Sequence, residues 1–245
     1  MPGVRRIKMK SRRTRKLLRS PLFAVALAAA VVLSCACAQS ATVTRVASGK
    51  ADLAVILIEG RLDGGETLVL ESLVSKLPLS TTVAVILNSP GGDLHEGMTL
   101  GRFFHQAHIP TFVLGYGGIC ASACAMGFIG GRDREGRPSR TKMSGGALGF
   151  HQFQRDHGTD ANKKFTKADI EREVLVTRKI ALDIIQYLSD IGEEMSFLHL
   201  MLLAPAAEVT WLSNEDAVTY GIHVMDERNE LVIDSAGIRA RVEMR

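Results

Sequence analysis

Several patterns are missing from this chain of 245 residues, and each absence removes a class of function. The first 38 residues contain no acid, although the chain has 26, and nine of its 30 lysines and arginines fall there. The remainder carries 21 basic against 26 acidic residues, a formal charge of −5. The pI near 9.0 is therefore a property of the leading segment. It implies no basic patch for nucleic acid, which would have to lie on the folded domain. The apolar run Leu22 to Leu33 has 12 residues, short of the roughly 20 that a spanning helix needs. Of the four cysteines, Cys35 and Cys37 lie in the leader, and Cys120 and Cys124 form a C-x3-C pair with no second Cys/His pair beside it. That argues against zinc. No glycine-rich turn is followed by the Lys-Ser/Thr of a phosphate loop, so no metal, nucleotide or other cofactor is expected. There is no internal repeat.

What is present begins with a basic segment, a short apolar core and the small-residue end Ala36-Cys37-Ala38. This order is that of a secretory signal, cleaved near Gln39. Val32-Leu33-Ser34-Cys35 is a poorer match to a lipoprotein signal, so membrane attachment is expected only through a lipid on Cys35. The expected organisation is a signal peptide over 1–38, a linker over 39–50 and one α/β domain over 51–245. About 205 residues are enough for a sizeable core. In an exported, periplasmic protein Cys120 and Cys124 are either a disulfide or two small buried thiols, depending on backbone geometry.

Leu53 to Ile58 and Val83 to Leu87 are unbroken apolar runs that read as strands buried on both faces. Between them Leu70, Leu73, Val74 and Leu77 share one helical face. A helix over 94–106 leads into a third strand, Thr111 to Tyr116. This alternation predicts crossovers and a mainly parallel sheet. Arg132 to Arg140 reads as a charged surface loop, and Ala147 to Phe153 as a short strand that contains His151. Thr166 to Ile191 is the longest helical pattern, with Val174, Ile180, Leu182, Ile184, Ile185 and Leu188 on its apolar side. A helix over 194–203 follows, and Ser213 with Asp216 resembles a capping box for a helix stopping at Gly221.

The chemistry centres on Gly117 to Gly127. Ser122 stands there among glycines and alanines at a strand-to-helix junction, where a hydroxyl can be exposed at a sharp turn. Serine needs a base, and histidine is the usual one, because its pKa lies near neutral. The turn at Gly91 and Gly92 presents backbone N–H groups at a helix start, which suits a developing oxyanion.

Leu87-Asn88-Ser89-Pro90-Gly91-Gly92, then Ala121-Ser122-Ala123, then Gly149-Phe150-His151-Gln152 resemble three ordered motifs of the Clp protease proteolytic subunit, in the ClpP/crotonase superfamily. The separations of 30 residues from Gly92 to Ser122 and 29 from Ser122 to His151 are close to that family's. Trp211-Leu212-Ser213 through Gly221-Ile222 is similar to its C-terminal helix. The resemblance implies a ClpP/crotonase-like α/β fold and hydrolysis of peptide bonds in a peptide or protein substrate. It assigns Ser122 as nucleophile, His151 as general base, and Gly92 and Ala123 as oxyanion donors, with Gly91-Gly92 receiving an extended substrate strand. It also implies a ring-forming homo-oligomer. Where the family has its aspartate, this sequence has Val209, and the nearest acid, Glu208, is the candidate third catalytic residue that would orient His151 if the local chain shifts by one residue, the alternative being a solvated loop charge. Lys142 is the lysine that a Ser–Lys dyad would use. The alternative is a non-catalytic member of the fold that binds extended peptides or an envelope partner.

Overall fold

β-branched runs alternate with helices whose apolar residues recur every three or four positions, and the product is a layered α/β fold. The fold comes from a computed structural model that describes residues 40–152, 165–203, 208–226, 228, 231–234 and 237–241. Among them the main sheet has eight strands: β1 (Thr42–Val46), β2 (Leu53–Glu59), β3 (Thr82–Asn88), β4 (Thr111–Val113), β6 (Arg140–Met143), β9 (His223–Asp226), β10 (Leu231–Asp234) and β11 (Gly237–Arg241), adjacent in that order. The five central strands, β2 to β9, run parallel, and antiparallel pairs close both edges. A smaller sheet contains β5 (Ile119–Ala121), β7 (Ala147–Phe150) and β8 (Thr210–Trp211). The helices are α1 (Glu66–Val74), α2 (Leu94–Gln106), α3 (Ala123–Phe128), α4 (Lys167–Asp190), α5 (Ser196–Leu203) and α6 (Asn214–Thr219).

In β2, Ala54, Ile56 and Ile58 are fully buried, while Leu53, Val55 and Leu57 are half-buried, so one face alone meets the core. Asp93 starts α2 by accepting a hydrogen bond from the Glu96 N–H at 2.8 Å. Glu96 in turn accepts from the Thr67 N–H and hydroxyl at 2.7 Å, which ties the first turn of α1 to α2. Helices α2 and α3 touch through backbone: a Cβ on Gly97 would lie 2.1 Å from the Ala123 carbonyl oxygen. The core runs from Ile56 and Leu87 through Met98, Phe104 and Phe128 to Tyr187 and Leu188.

Four expectations are corrected. Residues 42–46, expected in a linker, form strand β1, because the free edge of β2 supplies a ladder for a polar segment. The strand expected over 111–116 stops at Val113, where a turn with Tyr116 at φ 50° and Gly117 at φ 96° leads into β5 of the other sheet. Arg132 and Arg140 are not on the surface: both are buried and pair with Glu193 at 2.7 and 2.8 Å. On α4, Ile184 and Leu188 are buried, but Val174, Leu182 and Ile185 are exposed. No helix among the described residues is long and apolar enough to cross a membrane.

Candidate active site

Ser122 stands where β5 becomes α3. Strand β5 is held on one side by β7, with Ala121 opposite Gly149, and on the other by an exchange of N–H bonds with Ser89. The Ser122 N–H donates to the Gly149 carbonyl at 3.0 Å, and its own carbonyl accepts from Met126 at 3.2 Å. Between these anchors the backbone takes φ 57° and ψ −124°, one of three non-glycine residues at positive φ among those described. An L-residue is strained there, at a cost of about 1–3 kcal/mol. The half-buried Ser122 occupies the N-cap position of α3, but its hydroxyl makes no capping bond. Among the described residues the Ala123 N–H has no acceptor.

Gly91 and Gly92 lie against this turn. Gly91 is buried, and its N–H donates to the Ser89 hydroxyl at 3.0 Å. Its carbonyl accepts from Leu62 at 2.9 Å, and the Leu62 carbonyl accepts from Asp93 at 2.7 Å. That parallel bridge turns the Gly92 N–H away from Leu62, and among the described residues it too has no acceptor. Gly92 must be glycine, because at φ 143° a Cβ would sit 2.0 Å from the Leu62 carbonyl oxygen. Gly91, Gly92, Ser122 and Ala123 are thus brought together by main-chain pairing.

His151 follows β7 directly and is half-buried. Its Nδ1 is hydrogen-bonded to the Gln152 carbonyl. A carbonyl only accepts, so Nδ1 carries a proton and Nε2 is the ring nitrogen not engaged by this bond. Gln152 is itself anchored, its side-chain amide donating to the Leu202 carbonyl at 3.0 Å. Among the described residues His151 bonds neither Ser122 nor an acid. Glu208 is exposed, and among the described residues it makes no bond at the site. The register of β7 with β8 pairs Gly149 with Trp211 and Phe150 with Thr210. Val209 and Trp211 pack where a Gly149 side chain would be, 2.4 and 2.6 Å from a Cβ there. Lys142 is buried in β6 and gives its ammonium to Asn214 Oδ1 at 2.6 Å rather than to Ser122. Burial lowers its pKa below the ordinary lysine value, against a smaller upward pull from Glu215.

Cys120 and Cys124, left open between two states by the sequence, are joined in a disulfide across Ser122. Cys35 lies outside the described residues. Two features had no signal in a side-chain motif: the Gln152 carbonyl on His151, and the buried Arg132–Glu193–Arg140 cluster below the end of α3. In that cluster both guanidinium groups donate to the Ile129 carbonyl, at 3.3 and 2.9 Å. Among the described residues no cluster of His, Cys, Asp and Glu is arranged to hold a metal. A cavity of about 690 Å³ lies at the other end of the parallel strands, between Val83, His108 and Arg134, and does not reach Ser122.

No model of a known protein family matches the chain, and no curated protein matches it.

Proposed function

We propose that this chain is an exported serine peptidase of the ClpP/crotonase class, acting through an acyl-enzyme on Ser122. The observation that carries this reading is the Ser122 backbone, φ 57° and ψ −124°, at a strand-to-helix turn whose hydroxyl is not used as a cap. A turn of that kind lifts a nucleophilic oxygen clear of its own main chain. In the proposed reaction Ser122 Oγ attacks the scissile carbonyl carbon while His151 Nε2 takes the hydroxyl proton. The C–N bond breaks, the amine leaves with that proton, and water then hydrolyses the acyl ester. The N–H groups of Gly92 and Ala123 receive the oxyanion, and the substrate lies extended along Gly91-Gly92. The Gln152 carbonyl supports the reading by holding the Nδ1–H side of the ring, which leaves Nε2 as the nitrogen to face Ser122, the orienting part of an acid's role in a triad. Glu208 has no part in it. The export signal over 1–38, periplasmic location, anchoring only if Cys35 is lipidated, and a ring homo-oligomer belong to the same proposal.

A second reading, a non-catalytic binder of extended peptides or an envelope partner, is favoured by one observation: Val209, at the sequence position of the resembled family's aspartate, is apolar and packs against Gly149. One experiment separates the two. Parent protein and Ser122→Ala are given an unstructured fluorogenic polypeptide and a fluorophosphonate probe. The peptidase cleaves and is labelled on Ser122, and the variant does neither. A parent that binds the polypeptide without cleavage or label is the binder.

A further inference from the structure

Cys120 is the central residue of β5, Cys124 the second residue of α3, and both are fully buried. The disulfide between them closes a loop whose middle residue is Ser122, across a Cα–Cα distance of 5.2 Å. Main-chain bonds, from the Ser122 N–H to Gly149 and from the Met126 N–H to Ser122, and the close approach of Gly91 hold the turn non-covalently. No side chain adds to them: Ala121 and Ala123 have no polar group, and the Ser122 hydroxyl makes no capping bond. Turning Ser122 back to negative φ would swing α3 relative to β5 and carry Cys124 away from Cys120. The covalent link forbids that movement.

We propose that the Cys120–Cys124 disulfide is a positioning device that locks the Ser122 turn in its left-handed conformation. Its consequence for catalysis rests on the reading of Ser122 as nucleophile; its conformational role does not. The two cysteines touch no reacting atom and act through the backbone of Ser122.

The conformation at Ser122 is the mirror image of an extended one, strained for serine and open to glycine. That difference supplies the test. Thermal unfolding is measured for the parent, C120A/C124A, S122G and the triple variant S122G/C120A/C124A. Loss of the disulfide is expected to lower the melting temperature by less in the serine background than in S122G, because a freed serine turn relaxes and recovers part of its backbone strain, whereas glycine has none to recover. Equal losses in the two backgrounds overturn the proposal. Should C120A/C124A fail to fold, all four proteins are compared in a stabilising osmolyte such as sucrose, and the same inequality decides. Hydrogen exchange of the Met126 amide, which donates to Ser122, is read in parent and C120A/C124A. It should accelerate by about tenfold or more. Labelling of Ser122 by a fluorophosphonate should slow by about tenfold or more in C120A/C124A. A parent that takes no label defeats the peptidase reading and leaves the unfolding comparison to decide the role of the disulfide.

Discussion

Gly91 lies directly beneath Ser122: a Cβ on Gly91 would be 2.7 Å from the Ser122 Cβ and 2.6 Å from the Ala121 carbonyl oxygen. Two chain segments 31 positions apart in sequence therefore share one contact that only a hydrogen atom can fill. Gly91 also has φ 98°, a conformation that alanine resists. Gly91→Ala is expected to cost about 3 kcal/mol, from overpacking and backbone strain together. Urea unfolding should show the loss as a lower midpoint with an unchanged slope. Because the added methyl meets backbone and the Ser122 Cβ, the same variant should also lose reactivity at Ser122.

Glu193 is the shared anion of a buried cluster. It pairs with Arg132 at 2.7 Å and Arg140 at 2.8 Å, all three being almost wholly excluded from solvent. Glu193→Gln would leave two guanidinium groups buried without a counter-charge, at a cost of about 3 kcal/mol or more. Denaturation at neutral pH tests this. An unchanged midpoint would mean that the cluster is hydrated. Arg140 also lies 5.0 Å above the Phe197 ring, so the loss should loosen α5 as well as the end of α3.

The parts of this fold legible in the sequence are those with a local cause. Asp93 and the apolar spacing of Met98, Leu100 and Phe104 mark α2 from end to end. The site residues Gly91, Gly92 and Ser122 are visible because each turn demands a small or special residue. What escaped has distant causes. Strand β1 is polar and exists through its pairing with β2, and β4 separates from β5 because Tyr116 and Gly117 reverse the chain. Burial of Arg132 depends on Glu193, 61 residues further on. The orienting partner of His151 is a main-chain carbonyl, which no motif of side chains can encode.

Lys142 separates two mechanisms by its pH behaviour. Its ammonium is bound to Asn214, so Lys142→Met should leave hydrolysis within about twofold of the parent, whereas a Ser–Lys dyad would lose it. Burial places the folded-state pKa below the ordinary 10.5, so over the interval beneath 10.5 the unfolded chain binds more protons. Stability therefore rises with pH through that interval. The parent should gain stability relative to Lys142→Met as pH increases toward 10.5, and a flat difference would mean that the ammonium is well solvated.

His151 carries the last prediction, because the Gln152 carbonyl is bonded to it while Glu208 is the acid nearest in sequence to the position of a triad member. If the Gln152 carbonyl fixes the tautomer, the Glu208 carboxylate is dispensable: Glu208→Gln should leave kcat within about twofold, as for an exposed charge. On the proposed mechanism His151→Ala removes the proposed base and should lower kcat by about 10²–10⁴-fold. Gln152→Ala keeps the carbonyl but cuts its tie to Leu202, letting the imidazole drift, and should lower kcat by about tenfold with KM nearly unchanged. Steady-state kinetics on one polypeptide substrate distinguishes these outcomes. A Glu208→Gln loss as large as that of His151→Ala would place the acid against the histidine and remove the carbonyl from the mechanism. A Gln152→Ala loss confined to KM would assign Gln152 to substrate binding instead.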